Sequence, residues 1–408
     1  MDVRIRGIAP EEGRAFIAAV EASFSAQLDE AELAVELDVF EPDRALAAVD
    51  QEDRIVGGVA ACSLVVSVPG GELPMAGITD VGVLPTHRRQ GILTALIRRQ
   101  MDDLRDRGEP LAGLWASEGS IYGRYGYAPA VPAAALSIAR ARSAFRADTP
   151  RTGRMRLVDK EQALQAMTGP YDALRRVQPG MMARPPAWWT AAFADPESHR
   201  DGGGELLFVV HEDDGGDADG YAAYRVAHRW DHGGTHSVLR VVELASADDA
   251  VHAQLWRYCL DVDLVETVES ILSPVDEALP HLLADPRALT ARLRDSLWLR
   301  PLDVAAALAG RRYAAEGSIV LDVADEFCPW NAGTYVLDAG PDGTACARSG
   351  GPPDLSLSVA ELGAAFLGGT PLSSLARAGR VVEHTPGTLS LADAMFGWWR
   401  APWCPNHF

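Results

Sequence analysis

Residues 81–94, Val81-Gly82-Val83-Leu84-Pro85-Thr86-His87-Arg88-Arg89-Gln90-Gly91-Ile92-Leu93-Thr94, read as a strand that breaks into a basic, glycine-bearing turn and then opens a helix. A helix N-terminus carries about four free N–H donors and roughly half a positive charge, which suits a pyrophosphate. Arg88 and Arg89 add mobile cations at the same place. Ile92, Leu93, Leu96, Ile97, Met101 and Leu104 then recur at helical spacing and give one apolar stripe. Gly108 and Pro110 stop that helix.

Outward from this turn, the first 147 residues alternate helix and strand signals in an α/β manner. Helices are expected over 10–21 and 30–37, strands over 54–68, 77–83 and 111–116, and a short helix over 120–125. A polar loop with Asp148, Thr149, Pro150 and Gly153 separates this unit from a middle region. There, three antiparallel strands (206–210, 221–226, 236–244), a helix (247–261) and a strand (266–272) repeat the order of the first unit without a second basic turn. From residue 299 the pattern is a helix (304–309), strands (317–322, 333–338) and a helix (359–366), a small α+β domain. A chain of 408 residues at about 150 residues per domain suggests two to three domains. The expected division is 1–147, 148–298 and 299–408.

The formal charge of −20 disfavours nonspecific nucleic-acid or membrane binding and draws cationic substrates. The acidic run Glu30, Glu32, Glu36 and Asp38 is either part of a cationic substrate's path or a solvated helix face. Cys62, Cys259, Cys328, Cys346 and Cys404 are odd in number and never form a C-x-x-C pair, which fits a reducing cytoplasm. No stretch of about 18 apolar residues is present. His228, His232 and His236 have metal-like spacing, but Gly233-Gly234 places them on a hairpin loop, so no metal is expected. Trp188-Trp189 and Met181-Met182 are expected to pack a core or a subunit boundary.

Arg88-x-x-Gly91-x-Leu93 resembles the acyl-CoA pyrophosphate motif R/Q-x-x-G-x-G/A of the GNAT superfamily, with Leu93 in place of the usual small residue. A second segment, Ser117-Glu118-Gly119-Ser120-Ile121-Tyr122-Gly123-Arg124-Tyr125-Gly126-Tyr127, carries three tyrosines, any of which can give a proton to a departing thiolate. Spacing alone does not choose among Tyr122, Tyr125 and Tyr127. The chain ends in Ala401-Pro402-Trp403-Cys404-Pro405-Asn406-His407-Phe408, whose aromatic density and two prolines favour docking over fraying.

The pairing of P-T-H-R-R-x-G-I-L with S-E-x-x-I-Y-G-R-Y-G-Y resembles the enhanced-intracellular-survival (Eis) family of N-acetyltransferases. Residues 221–226 and 297–304 are similar to that family's middle portion, so the resemblance spans most of the chain. It implies an α/β (α+β) fold of tandem GNAT-like domains, the second without a cofactor site, followed by a domain like sterol carrier protein type 2. It further implies acetyl transfer from acetyl-CoA to a small-molecule or peptide amine, such as an aminoglycoside or a lysine side chain, by a homo-hexamer. By the family motif the general acid falls on Tyr122 and the general base on the terminal carboxylate of Phe408; from the residues alone, the neighbouring His407 imidazole is an alternative base. Val81, Gly82 and Val83 fall along the pantetheine arm, Arg88, Arg89, Gln90, Gly91, Ile92, Leu93 and Thr94 at the pyrophosphate, Ser117 and Glu118 beside the cofactor, and Phe24 at the substrate pocket. A non-catalytic protein that binds acyl-CoA or an apolar ligand is the competing reading.

Overall fold

The computed structural model describes residues 3–408. In chain order the first third holds β1 (Arg4–Gly7), α1 (Gly13–Ser23), α2 (Glu30–Val39), β2 (Leu46–Val49), β3 (Ile55–Val68) and β4 (Gly71–Val83). Then come α3 (Ile92–Asp106), β5 (Leu111–Trp115), β6 (Ala128–Pro129) and β7 (Pro132–Ala139). The middle contains β8 (Arg154–Val158), α4 (Lys160–Arg175), α5 (Pro186–Ala192), β9 (Leu207–Glu212), β10 (Ala218–Ala227), and a ribbon of β11 (Trp230–Asp231) and β12 (Gly234–Thr235). It continues with β13 (Val238–Ala245), α6 (Asp249–Asp261), β14 (Thr267–Ser273), α7 (Leu279–Leu282), β15 (Leu289–Asp295) and β16 (Leu297–Pro301). The last third is α8 (Val304–Ala309), β17 (Gly317–Ala324), β18 (Gly333–Ala339), β19 (Thr344–Arg348), β20 (Leu355–Ser358), α9 (Val359–Ala365), α10 (Leu372–Arg377), β21 (Val381–Glu383) and α11 (Thr388–Phe396).

These strands build two seven-stranded sheets, β1-β2-β3-β4-β5-β16-β6 and β15-β7-β14-β13-β10-β9-β8, and a five-stranded sheet, β19-β18-β17-β20-β21. The sheets do not follow the divisions expected at 147/148 and 298/299. β7 lies before the first division yet pairs with β14 and β15 of the second sheet, and β16 returns to the first sheet between β5 and β6. Local periodicity marks both segments as strands but says nothing of their partners, because pairing is fixed by burial between distant segments.

The apolar stripe of α3 covers one face of the first sheet, Ile92, Leu96, Ile97, Met101 and Leu104 packing with Ala61, Ala76 and Ile78. The opposite face receives α1 at one end, through Phe16, Ile17 and Val20, and the third domain at the other. Missing side chains let α1 come close: a Cβ on Gly58 would lie 2.5 Å from the Phe16 ring. Cys62, Leu64, Met75 and Leu297 share one core with Leu321, Leu337, Leu362 and Phe366. The expected core roles of Met181, Met182 and Trp189 hold, since all three are buried. Beyond α9 the chain continues through α10, β21 and α11.

Candidate active site

The site starts where two parallel strands part. β4 pairs with β5 only from Met75↔Leu111 to Ile78↔Leu114, whereas β3 follows β4 on its other side as far as Gly57↔Val83. Beyond Ile78 the edge of β4 that faced β5 has no strand beside it, and an extended ligand can add there as a strand would. The register against β3 slips between Gly58↔Gly82 and Ala60↔Thr79, leaving an extra residue on β4. Asp80 in this bulge has φ 52. Such a bulge re-aims the strand beside a site.

The turn that follows presents the N-terminus of α3 without a side-chain cap. Gly91 at the N-cap has φ 81 and Arg89 has φ 61, both left-handed, so the chain doubles back and exposes the first N–H groups of the helix. Leu93, which departs from the small residue of the motif, packs against the core and leaves only its backbone at the turn. Arg88 is not a mobile cation: its guanidinium donates to Val83 O (3.1 Å) and Ser23 O (2.5 Å), tying the turn to the end of α1. Arg89 and Gln90 are exposed. Gly82 admits this closeness, since a Cβ there would lie 2.2 Å from Ser23 Oγ.

At the matching junction of the second sheet, between β13 and α6, the Asp248 carboxylate itself accepts from Ala250 N and Val251 N. A fixed negative charge therefore sits where an anion would bind.

The three tyrosines occupy different environments. Tyr127 is sealed in the core, and its hydroxyl has no hydrogen-bond partner. Tyr125 is equally buried, and its hydroxyl lies 3.1 Å from Thr94 Oγ1. Tyr122 keeps 5% of its surface exposed, the most of the three. Burial raises its pKa, with a hydrogen bond from Ser117 opposing the shift, so the phenol holds its proton at neutral pH. Glu118 lies near enough to the Tyr122 hydroxyl to add to that rise. The turn under these residues is propped by Arg300 of β16, which donates to Tyr125 O and pairs with Asp325 at 2.5 Å. Gly126, with φ 83, makes room for that guanidinium. Sequence reasoning missed Arg300, because its partners lie in segments 175 and 25 residues away.

The C-terminus docks as expected. Trp403 N donates to Pro179 O (2.8 Å), Trp115 Nε1 donates to Asn406 O (2.8 Å), and Asn406 Oδ1 lies 2.9 Å from the Tyr171 hydroxyl. The His407 ring is exposed, 5.1 Å from that of Trp115. Phe408 packs on Gly77 of β4, one residue before the strands part. Phe24, at the C-cap of α1, is 52% exposed at the same end of β4 as Ser23. Both ring nitrogens of His236 face carboxylates, Asp231 at 3.1 Å and Glu266 at 2.8 Å. Among the described residues no cluster of three metal-ligating side chains occurs.

Comparisons with known proteins match all three parts of the chain. Models described as acetyltransferase (GNAT) domains match residues 4–130 and 180–301, and one for a sterol carrier protein domain matches 304–405. An uncharacterized N-acetyltransferase of Streptomyces coelicolor is 42% identical, covering 92% of this chain and 93% of that one. The N-acetyltransferase Eis of Mycobacterium tuberculosis is 35% identical, covering 84% and 83%. The crystal structure of Eis1 from Mycobacterium abscessus superposes with a TM-score of 0.86 over all of both chains at 33% identity. GNAT domains use acetyl-CoA, and the uncapped turn with its open strand edge fits that cosubstrate. Two GNAT domains, a sterol-carrier-like domain and this degree of identity over most of both chains place the protein in the Eis family of GNAT N-acetyltransferases.

Proposed function

We propose that this N-acetyltransferase acts on polycationic amines, such as aminoglycosides or lysine-rich acceptors, with Tyr122 as general acid and the Phe408 carboxylate as general base. The observation that carries this reading is the placement of the terminal Phe408 ring on Gly77, at the point where β4 and β5 part. When bound, acetyl-CoA supplies the acetyl group as a thioester. Val81, Gly82 and Val83 would hold its pantetheine arm along the open edge, and the backbone from Arg89 to Thr94 would hold its pyrophosphate. Val83 O is already engaged by Arg88, which centres the available edge on Val81. Ser117 and Glu118 flank the cofactor, and Phe24 borders the acceptor.

The Phe408 carboxylate accepts a proton from the acceptor's ammonium group. An α-carboxyl has a pKa of about 3.3–3.7, so it is ionised at neutral pH and takes that proton directly or through water. The Tyr122 hydroxyl, kept protonated by burial, gives its proton to the departing sulfur. The net charge of −20 supports a cationic acceptor.

The second GNAT domain is cofactor-free in this reading, which the Asp248 cap supports. The family resemblance supports a homo-hexamer, and Leu157, Ile271 and Leu293, exposed on strands of the second sheet, offer apolar contact surface. Free thiols at all five cysteines support a reducing cytoplasm. Among the described residues no helix is long and apolar enough to cross a membrane.

Removal or amidation of Phe408 tests the proposal. Turnover, read by thiol release, should collapse while acetyl-CoA binding persists, and full activity would remove the terminal base.

A further inference from the structure

Loops that join hairpin strands lie at the surface, where water satisfies their polar groups. The loop between β17 and β18 of the third domain does otherwise. Beyond the last strand pair, Val323↔Gly333, it leaves the third sheet and reaches the first domain. Its Asp325 carboxylate pairs with the Arg300 guanidinium of β16 at 2.5 Å, and the two side chains are 1% and 0% exposed. Both carboxylate oxygens are engaged, Oδ1 by Cys328 N (2.9 Å) and Oδ2 by Arg300 and by Asn331 Nδ2 (3.1 Å). The other end of the Arg300 fork donates to Tyr125 O, in the turn that carries Tyr122.

The rest of the loop grips the same turn and the helix beside it. The Phe327 ring meets the Tyr125 ring edge-on, centroids 5.0 Å apart. On α3, the guanidinium of Arg98 lies 4.5 Å over Phe327 and that of Arg105 4.7 Å over Trp330. Cys328 is buried in one core with Tyr122, Tyr125 and Tyr127. Adhesion of the third domain is already served by apolar contact, Leu64 and Met75 packing with Leu321 and Leu337. A buried ion pair adds little net stability, because both charges are desolvated, yet its directed bonds admit one placement of the backbone they hold.

We propose that Asp325 of the third domain is a positioning residue for acetyl transfer: through Arg300 it fixes the turn 122–125 so that the Tyr122 hydroxyl meets the departing sulfur. Side chains three residues apart in a 3-10 turn stand on one face, so a turn held at Tyr125 O carries Tyr122 with it. A displacement of about 1 Å at a reacting group costs up to about a hundredfold in rate. The inference rests on the assignment of Tyr122 as general acid and gives the third domain a part in that step.

A double-mutant cycle in the full-length protein tests it. Thiol release from acetyl-CoA is followed with the fastest acceptor of a panel of aminoglycosides, polyamines and lysine peptides, and CoA affinity by titration. Asp325→Asn should lower kcat tenfold or more and leave the Kd for CoA within twofold. Added to Tyr122→Phe it should lower kcat no further, since a residue that acts through Tyr122 then has nothing left to position. Glu326→Gln, exposed on the same loop, should alter nothing. Should Asp325→Asn fail to fold, Phe327→Leu, which removes the half-buried ring against Tyr125, completes the same cycle. An undiminished kcat in the folded variant overturns the inference, as does a loss that multiplies with that of Tyr122→Phe or falls on CoA affinity instead. Full activity in Tyr122→Phe alone overturns the general acid, and with it this inference, and is told apart because it shows in that single variant.

Discussion

The ring of Phe408 lies against Gly77 so closely that a Cβ on that glycine would come within 3.0 Å of two ring carbons. The same Cβ would lie 2.4 Å from Leu64 Cδ1, so the side chains on that face must shift to admit it. Gly77→Ala should therefore displace the terminal residue. A fall in kcat of tenfold or more with an unchanged CoA affinity is expected in steady-state and binding assays.

The tail that carries Phe408 is held from two sides, by Trp115 of β5 and by Tyr171 of α4. The Tyr171 hydroxyl lies 2.9 Å from Asn406 Oδ1 and 2.7 Å from Met182 O, fully buried. A hydrogen bond of this kind contributes about 1 kcal/mol net. Tyr171→Phe should lower kcat/KM about fivefold through a loosened C-terminus, with CoA affinity preserved. An equal effect on CoA binding would mean that the tail is not what Tyr171 positions.

Gly91 carries the left-handed geometry that uncaps α3. A side chain there costs about 1–2 kcal/mol in local strain and blocks close approach to the backbone. Gly91→Ala should raise the Kd for CoA about tenfold or more, measured by titration. Asp248→Asn should not create CoA binding in the second domain, because an uncharged cap still occupies the helix N-terminus.

Asp80 gives a pH signature. Its folded pKa of about 7 lies above the ordinary 3.8, so the folded state binds the extra proton between those values. Stability is then greatest below the unfolded pKa and falls as pH rises through about 7, with Glu36, Glu21 and Cys62 as the neighbouring groups. Asp80→Asn removes that loss. Its Tm should exceed that of the wild type by a few degrees at pH 8 and by little at pH 4, in thermal melts without ligand.

Much of the first domain was legible because its signals are local. The apolar spacing from Ile92 to Leu104 marks α3, and the observed helix runs Ile92–Asp106. Leu93 looked like a flaw in the motif only because a one-letter pattern does not say that the side chain points into the core. Asp80 drew no reading from the sequence, because its burial and its neighbours Glu36 and Glu21 come from segments distant in the chain. The exchange of β7 and β16 between sheets left no mark in either segment's periodicity.

The sequence by itself determined which chemistry is present: an uncapped helix start after a strand, a tyrosine-rich turn, and a terminal Phe in a proline-bracketed tail. These follow from spacing, glycine placement and propensity, which act over a few residues. Only the tertiary structure decided where that chemistry meets. It pinned Arg88 to Ser23, propped the tyrosine turn with Arg300, set Phe408 on Gly77 and left Asp80 Oδ2 without a hydrogen-bond partner. Those outcomes depend on burial and pairing between segments up to hundreds of residues apart, which no local pattern encodes.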